Sequence, residues 1–125
     1  MFKCSEINFT PEKIVENLDV LAQTYSIRTI YFLRSIGLSF EITELDNDNP
    51  ENRAQALNRL CEIDTFLNSA RPWFTSDNEC WNWFMNEQLE AFSHLTPSEI
   101  VRRYQGRGIS ALLEWAEERN LGNFQ

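Results

Sequence analysis

The sequence predicts an all-α protein, a compact bundle of about five to six helices. Three observations carry that reading. Apolar residues recur at spacings of three and four along most of the chain. Two Ser/Thr-x-x-Glu boxes, each able to satisfy the free amides of a helix start, stand at 76–79 and 96–99. No stretch alternates in the manner of a convincing sheet.

The elements follow in order. Thr10-Pro11 reads as a cap and first helical residue, and Ile14, Val15, Leu18, Leu21, Ala22 and Tyr25 then share one face. Ser26 offers a second start, with Ile27, Ile30, Tyr31 and Leu33 continuing until Gly37, a natural C-terminal stop. Residues 38–45 fit either a short extended piece or another helical turn. Asp46 to Pro50 is the clearest break: Asn49 caps and Pro50 starts a helix over about 50–70. Its face is Ala54, Leu57, Leu60, Cys61, Ile63, Phe66, Leu67 and Ala70, and Arg71-Pro72 ends it. The Ser76 box starts a helix carrying Cys80, Trp81, Trp83 and Phe84. Residues 86–95 read as a packed loop or irregular turn. Thr96-Pro97 starts the next helix, Gly106-Arg107-Gly108 reads as a helix-to-helix turn, and Ile109, Leu112, Leu113, Ala116 and Leu121 form the last face. Asn120 and Gly122 supply stop chemistry.

Composition bounds the function. The chain has 125 residues, 19 acids against 11 bases, and a formal net charge of −8. Its hydrophobic content of 42% is too rich for a disordered acidic tail. The charge argues against general binding to nucleic acid or anionic membranes, whose phosphates repel it. Cys4, Cys61 and Cys80 are odd in number and widely spaced, so they read as thiols in a reducing compartment. No apolar run approaches the roughly 20 residues that span a bilayer, and Lys3, Ser5, Glu6 and Asn8 break any signal peptide. The expected location is cytoplasmic.

Enzyme constellations are not evident: no nucleophile elbow, zinc pair, P-loop or dinucleotide fingerprint occurs, and no cofactor or metal is implied. His94 with Cys61 or Cys80 is the one nucleophilic pair to weigh, and a polar loop histidine is the simpler reading. The acidic run Glu41, Glu44, Asp46, Asp48 and Glu51 lacks the order of a calcium loop and reads as a solvated acidic segment or a contact for a basic partner.

Leu21 to Phe40 has the rhythm of a helix-turn-helix. Its second helix would present Arg28, Thr29, Tyr31 and Arg34 to a DNA groove. Support from charge is thin, because residues 1–72 hold 7 bases against 11 acids, a net of −4.

The second half carries a more particular pattern. Phe74 and Asp77 open an acidic helix start, Trp83-Phe84 follows, then a short loop and Thr96-Pro97. Gly106 or Gly108, the helix Ile109 to Arg119 and Gly122 complete it. This order resembles the toxin-binding domain of the Xre/MbcA/ParS family of antitoxins. The preceding helix matches that family's linking helix, and the 21–40 hairpin falls where such antitoxins carry an Xre-like helix-turn-helix. The family's loop between Trp and Ser/Thr-Pro usually holds prolines and a Gly pair, whereas Glu87 to Leu95 holds neither. The resemblance implies two segments within one compact unit, 1–48 helix-turn-helix-like and 49–125 linking helix plus toxin-binding domain. It implies neutralisation of a RES-domain toxin that attacks NAD, by covering its active-site cleft, with homodimerisation and operon autorepression as family habits. The contacts would come from Glu114, Glu117, Glu118, Arg119, Asn123, Phe124 and Gln125. Two other readings stand beside it: a small acidic phage-type inhibitor that blocks a defence protein or mimics nucleic acid, and an Xre-like DNA-binding repressor. Arg102, Arg103 and Arg107 form the local basic cluster, open to pairing with Glu99 or to a partner.

Overall fold

The computed structural model describes residues 29–38 and 50–122. Among these, four α-helices and two short 3₁₀ turns account for most of the chain, and no strand forms. The helices are α1 (Thr29–Ser35), α2 (Pro50–Ala70), α3 (Asp77–Asn86) and α4 (Pro97–Gly122), with 3₁₀ turns at Arg71–Trp73 and Glu90–Phe92. The all-α class therefore holds for the described residues. The Thr10-Pro11 helix, the acidic run before Pro50 and most of the 21–40 hairpin lie outside them.

Each helix boundary has a chemical cause. α1 stops in a left-handed turn: Gly37 sits at φ 86°, its amide donates to Arg34 O at 3.0 Å, and the Leu38 amide donates to Leu33 O at 2.9 Å. That pair of bonds is a Schellman motif, and the buried Leu33 and Leu38 supply its apolar contact. A Cβ at residue 37 would also crowd the Val101 carbonyl oxygen at 3.0 Å and the Arg59 guanidinium, so packing adds to the preference for glycine that φ sets. α3 starts at Ser76, whose Oγ accepts from the Glu79 amide at 3.1 Å. Glu79 does not close the box on Ser76; its carboxylate reaches one residue further back, to the amide and hydroxyl of Thr75. Those bonds hold the Glu79 carboxyl below its ordinary range. At α4 the box closes as expected, with Glu99 N to Thr96 Oγ1 at 3.1 Å and Thr96 N to Glu99 Oε1 at 3.3 Å.

The core lies where α4 packs along α2, with α3 and α1 against α4. From α2 come Ala56, Leu60, Ile63, Phe66, Leu67 and Ala70, a helical stripe of buried residues. α3 adds Cys80, Trp81 and Phe84, α4 adds Ile100, Val101, Ile109, Leu112 and Ala116, and α1 and the turn after it add Leu33 and Ile36. Each fully buried large side chain contributes about 1.5–3 kcal/mol. Ser98 Oγ donates to Ser35 O at 2.8 Å, which ties the end of α1 to the start of α4.

Several sequence expectations need correction. The break near Gly106-Arg107-Gly108 is a kink at Gln105 (φ 55°, ψ −133°), one residue before the glycines, and helix continues on both sides. Gly108 is needed instead for packing, since a Cβ there would meet the Ile100 carbonyl oxygen at 2.6 Å. Asn120 is not a stop: it lies inside α4 and its side chain bridges two elements. Leu121 does not join the apolar face, being 68% exposed, and Ala54, expected on the apolar face of α2, is exposed as well. The 86–95 segment is the packed irregular turn expected, closed by a single Leu89–Leu95 bridge with Ser93 and His94 both left-handed.

Candidate functional site

The C-terminal limb of α4 is fixed by an aromatic cluster that the helix periodicity alone does not announce. Trp115 stacks on Trp83 with ring centroids 6.2 Å apart and an interplanar angle of 8°. Trp73 stands edge-on to both, at 5.6 and 5.7 Å, and Phe92 meets Trp115 edge-on at 6.0 Å. Edge-to-face pairs of this kind add about 0.5–1.5 kcal/mol beyond area burial. Trp73 Nε1 donates to Asn120 Oδ1 at 2.7 Å, and Asn120 Nδ2 donates to Ser69 O at 2.9 Å. The last turn of α2 is thereby stitched to the last turns of α4.

On that fixed limb, Glu114, Glu117 and Glu118 are exposed and spaced three and four apart. None of them has an ion pair or hydrogen bond among the described residues. Like charges at this spacing cost about 0.2–0.5 kcal/mol per pair. Arg119 does not relieve them: its guanidinium lies 4.3 Å from the Trp73 ring centroid and 5.8 Å from that of Trp115. The limb therefore presents fixed negative charge beside a cation held in place by indole faces. The other proposed contacts, Asn123, Phe124 and Gln125, lie outside the described residues.

The DNA-facing candidates are only partly gathered. Thr29 opens α1, Tyr31 is 54% exposed and Arg34 is exposed, while Arg28 lies outside the described residues. Arg34 has a neighbour that sequence order conceals, since it lines a cleft of about 310 Å³ with Arg102, Gly37, Leu38 and Gln105. Among the landmarks, Thr96 and Pro97 start α4 as described. Trp83 is half-buried, and Trp81 is the more deeply buried indole of the pair. A Cβ at Gly106 would meet only Glu62 Oε2, at 3.5 Å, and one at Gly122 would meet nothing within 4 Å. Those two glycines have no steric requirement.

Sequence reasoning missed Arg59. It is 7% exposed in the middle of α2, and its Nη1 donates to Ile36 O at 2.9 Å and to Gln105 Oε1 at 2.7 Å. Glu62 lies 3.7 Å from its Nε, beyond hydrogen-bond reach. Gln105 also donates through Nε2 to Arg102 O at 2.9 Å. These bonds hold Gln105 in a backbone region that normally takes glycine, at a cost of about 1–3 kcal/mol. The signal was present: Arg59 falls three residues after Ala56 and four before Ile63, on the buried stripe.

His94 is exposed and Cys80 buried, and burial pushes the Cys80 thiol up to about 11. A thiol so raised stays protonated at neutral pH. No group of three His, Cys, Asp or Glu able to hold a metal occurs among the described residues, and no helix there is long and apolar enough to cross a membrane. Set against known protein families, curated proteins and solved structures, the chain matches none.

Proposed function

We propose that the chain is an antitoxin-like protein that binds a partner toxin of the RES-domain kind and neutralises it by covering its active site. The observation that carries the reading is the α4 limb, where Glu114, Glu117 and Glu118 stand exposed without partners from the described residues while Trp73, Trp83 and Trp115 fix the helix beneath them. A toxin site that grips the pyrophosphate of a dinucleotide is basic. A rigid acidic helix face meets such a site with complementary charge, which speeds encounter and sets register. Preorganisation by the indoles lowers the ordering cost of docking.

Co-expression tests this. The wild-type chain rescues cells from a RES-domain toxin, and the triple variant Glu114→Lys, Glu117→Lys, Glu118→Lys does not. Truncation before Ile109 is the wrong perturbation, because it removes Ile109, Leu112 and Ala116 from the core. Full protection by the triple variant, at equal expression and equal melting temperature, would exclude this face as the contact.

A further inference from the structure

A second site lies on the other limb of α4, built from residues the toxin-neutralising reading does not use. Ile100, Arg103, Tyr104, Arg107 and Ala111 follow one helical stripe across the kink, and the 91–95 turn stands opposite them. Between the two is a cleft of about 560 Å³, within the size range of small-molecule sites, roughly 300–1,000 Å³. Its inner lining is apolar: Ile100 is buried, and Phe92 and Leu95 are half-buried. Its outer lining is Arg103, Tyr104 and Arg107, all exposed.

The two arginines are uncompensated. Neither Arg103 nor Arg107 has a hydrogen bond or ion pair among the described residues, in a chain of net charge −8. Glu99, the acid one turn before Arg103, caps the helix at Thr96 instead. The turn opposite is rigidly shaped, since the amides of Leu89 and His94 are bonded at 2.9 Å to Leu95 O and Leu89 O. An apolar cavity with two free guanidinium groups at its mouth is complementary to an anion on an apolar body, because guanidinium forks match the oxygens of carboxylate and phosphate.

We propose that this cleft binds a small organic anion, a carboxylate or phosphate carried on a flat apolar body. The anion lies between Arg103 and Arg107, and the body rests against Phe92 and Leu95. The proposal is independent of the toxin reading, and Glu114, Glu117 and Glu118 take no part in it.

The test is calorimetry and ¹⁵N-resolved titration of the full chain with 1-naphthyl phosphate, 1-naphthoate, 1-naphthol and inorganic phosphate. Either naphthyl anion is expected to bind at least about tenfold more tightly than 1-naphthol and than inorganic phosphate. The ratio of the two anions assigns phosphate or carboxylate. R103Q and R107Q should each weaken anion binding roughly three- to tenfold while leaving 1-naphthol and the melting temperature unchanged. A111F, at an exposed lining position, should abolish binding of every naphthyl probe. Equal binding of 1-naphthol and the anions would reduce the cleft to an apolar patch and overturn the proposal. Inorganic phosphate binding as tightly as naphthyl phosphate would mean an adventitious ion only. Unchanged anion affinity in R103Q and R107Q, or no binding at millimolar probe, would also refute it.

Discussion

Replacing Arg59 with methionine keeps most of the side-chain volume and removes every hydrogen bond it makes. The buried carbonyl of Ile36 then loses its donor at 2.9 Å, which costs about 1–3 kcal/mol. The exposed Gln105 amide loses a donor at 2.7 Å, for which water substitutes at a cost below about 1 kcal/mol. Against this, a guanidinium that is 7% exposed, with its Nε unbonded, no longer has to be desolvated. Apolar isosteres of buried ionic groups recover about 1–4 kcal/mol when whole networks are replaced; here one partner, Glu62, keeps its charge in water, which limits the recovery to about 1 kcal/mol. The balance is a destabilisation of about 1–3 kcal/mol. For a chain of this size that lowers the melting temperature by roughly 3–12 °C. Thermal unfolding by far-UV circular dichroism reads it. The strain at Gln105 supplies a second check. Gln105→Gly in the wild type relieves strain but loses the tether, so the effects offset; in the R59M background the tether is already gone, so Gln105→Gly should stabilise by about 1–2 kcal/mol. A variant R59M as stable as wild type, or a Gln105→Gly effect equal in both backgrounds, would refute the tether.

Three further perturbations follow from single contacts. Gly108→Ala drives a Cβ to within 2.6 Å of the Ile100 carbonyl and should cost about 1–3 kcal/mol in urea unfolding; a neutral effect would mean the two limbs of α4 can separate freely. Thr96→Ala removes the α4 cap and should cost about 1 kcal/mol, whereas Thr96→Ser should restore most of it. The folded Cys80 thiol ionises near 11 against an ordinary 9, so its contribution to stability is full below pH 9 and is lost as pH rises toward 11. Wild type should therefore lose more stability than Cys80→Ala between pH 8 and pH 10.5, and iodoacetamide at pH 8 should modify half-buried Cys61 well before Cys80; the reverse order of alkylation contradicts the burial argument.

Much of the fold was legible because helix ends are written locally. Ser76, Thr96-Pro97, Pro50 and Gly37 each act through their own side chain or backbone freedom within four residues, and each marks an observed boundary. Tertiary demands were less visible. Nothing near Gln105 signals a left-handed residue beside two glycines; its conformation depends on Arg59, 46 residues away. Ser93 and His94 adopt positive φ without glycine or asparagine, so the wall of the anion cleft had no local signature. Asn120 looked like a helix stop because its type favours ends, yet Trp73 and Ser69 engage it inside α4. The acidic face was different: the family resemblance pointed to Glu114, Glu117 and Glu118, and their exposure follows from Leu112 and Ala116 facing inward.

In the proposed function, the acidic α4 limb occupies the substrate site of a basic toxin. The most direct measurement is inhibition of NAD consumption by a purified RES-domain toxin, titrated with the wild-type chain and with E114K/E117K/E118K at low and high salt. Stoichiometric inhibition by wild type, weakened by salt, is expected, with at least about a hundredfold loss of potency in the triple variant. Equal potency of the two proteins, or no inhibition by wild type at low salt, would contradict it.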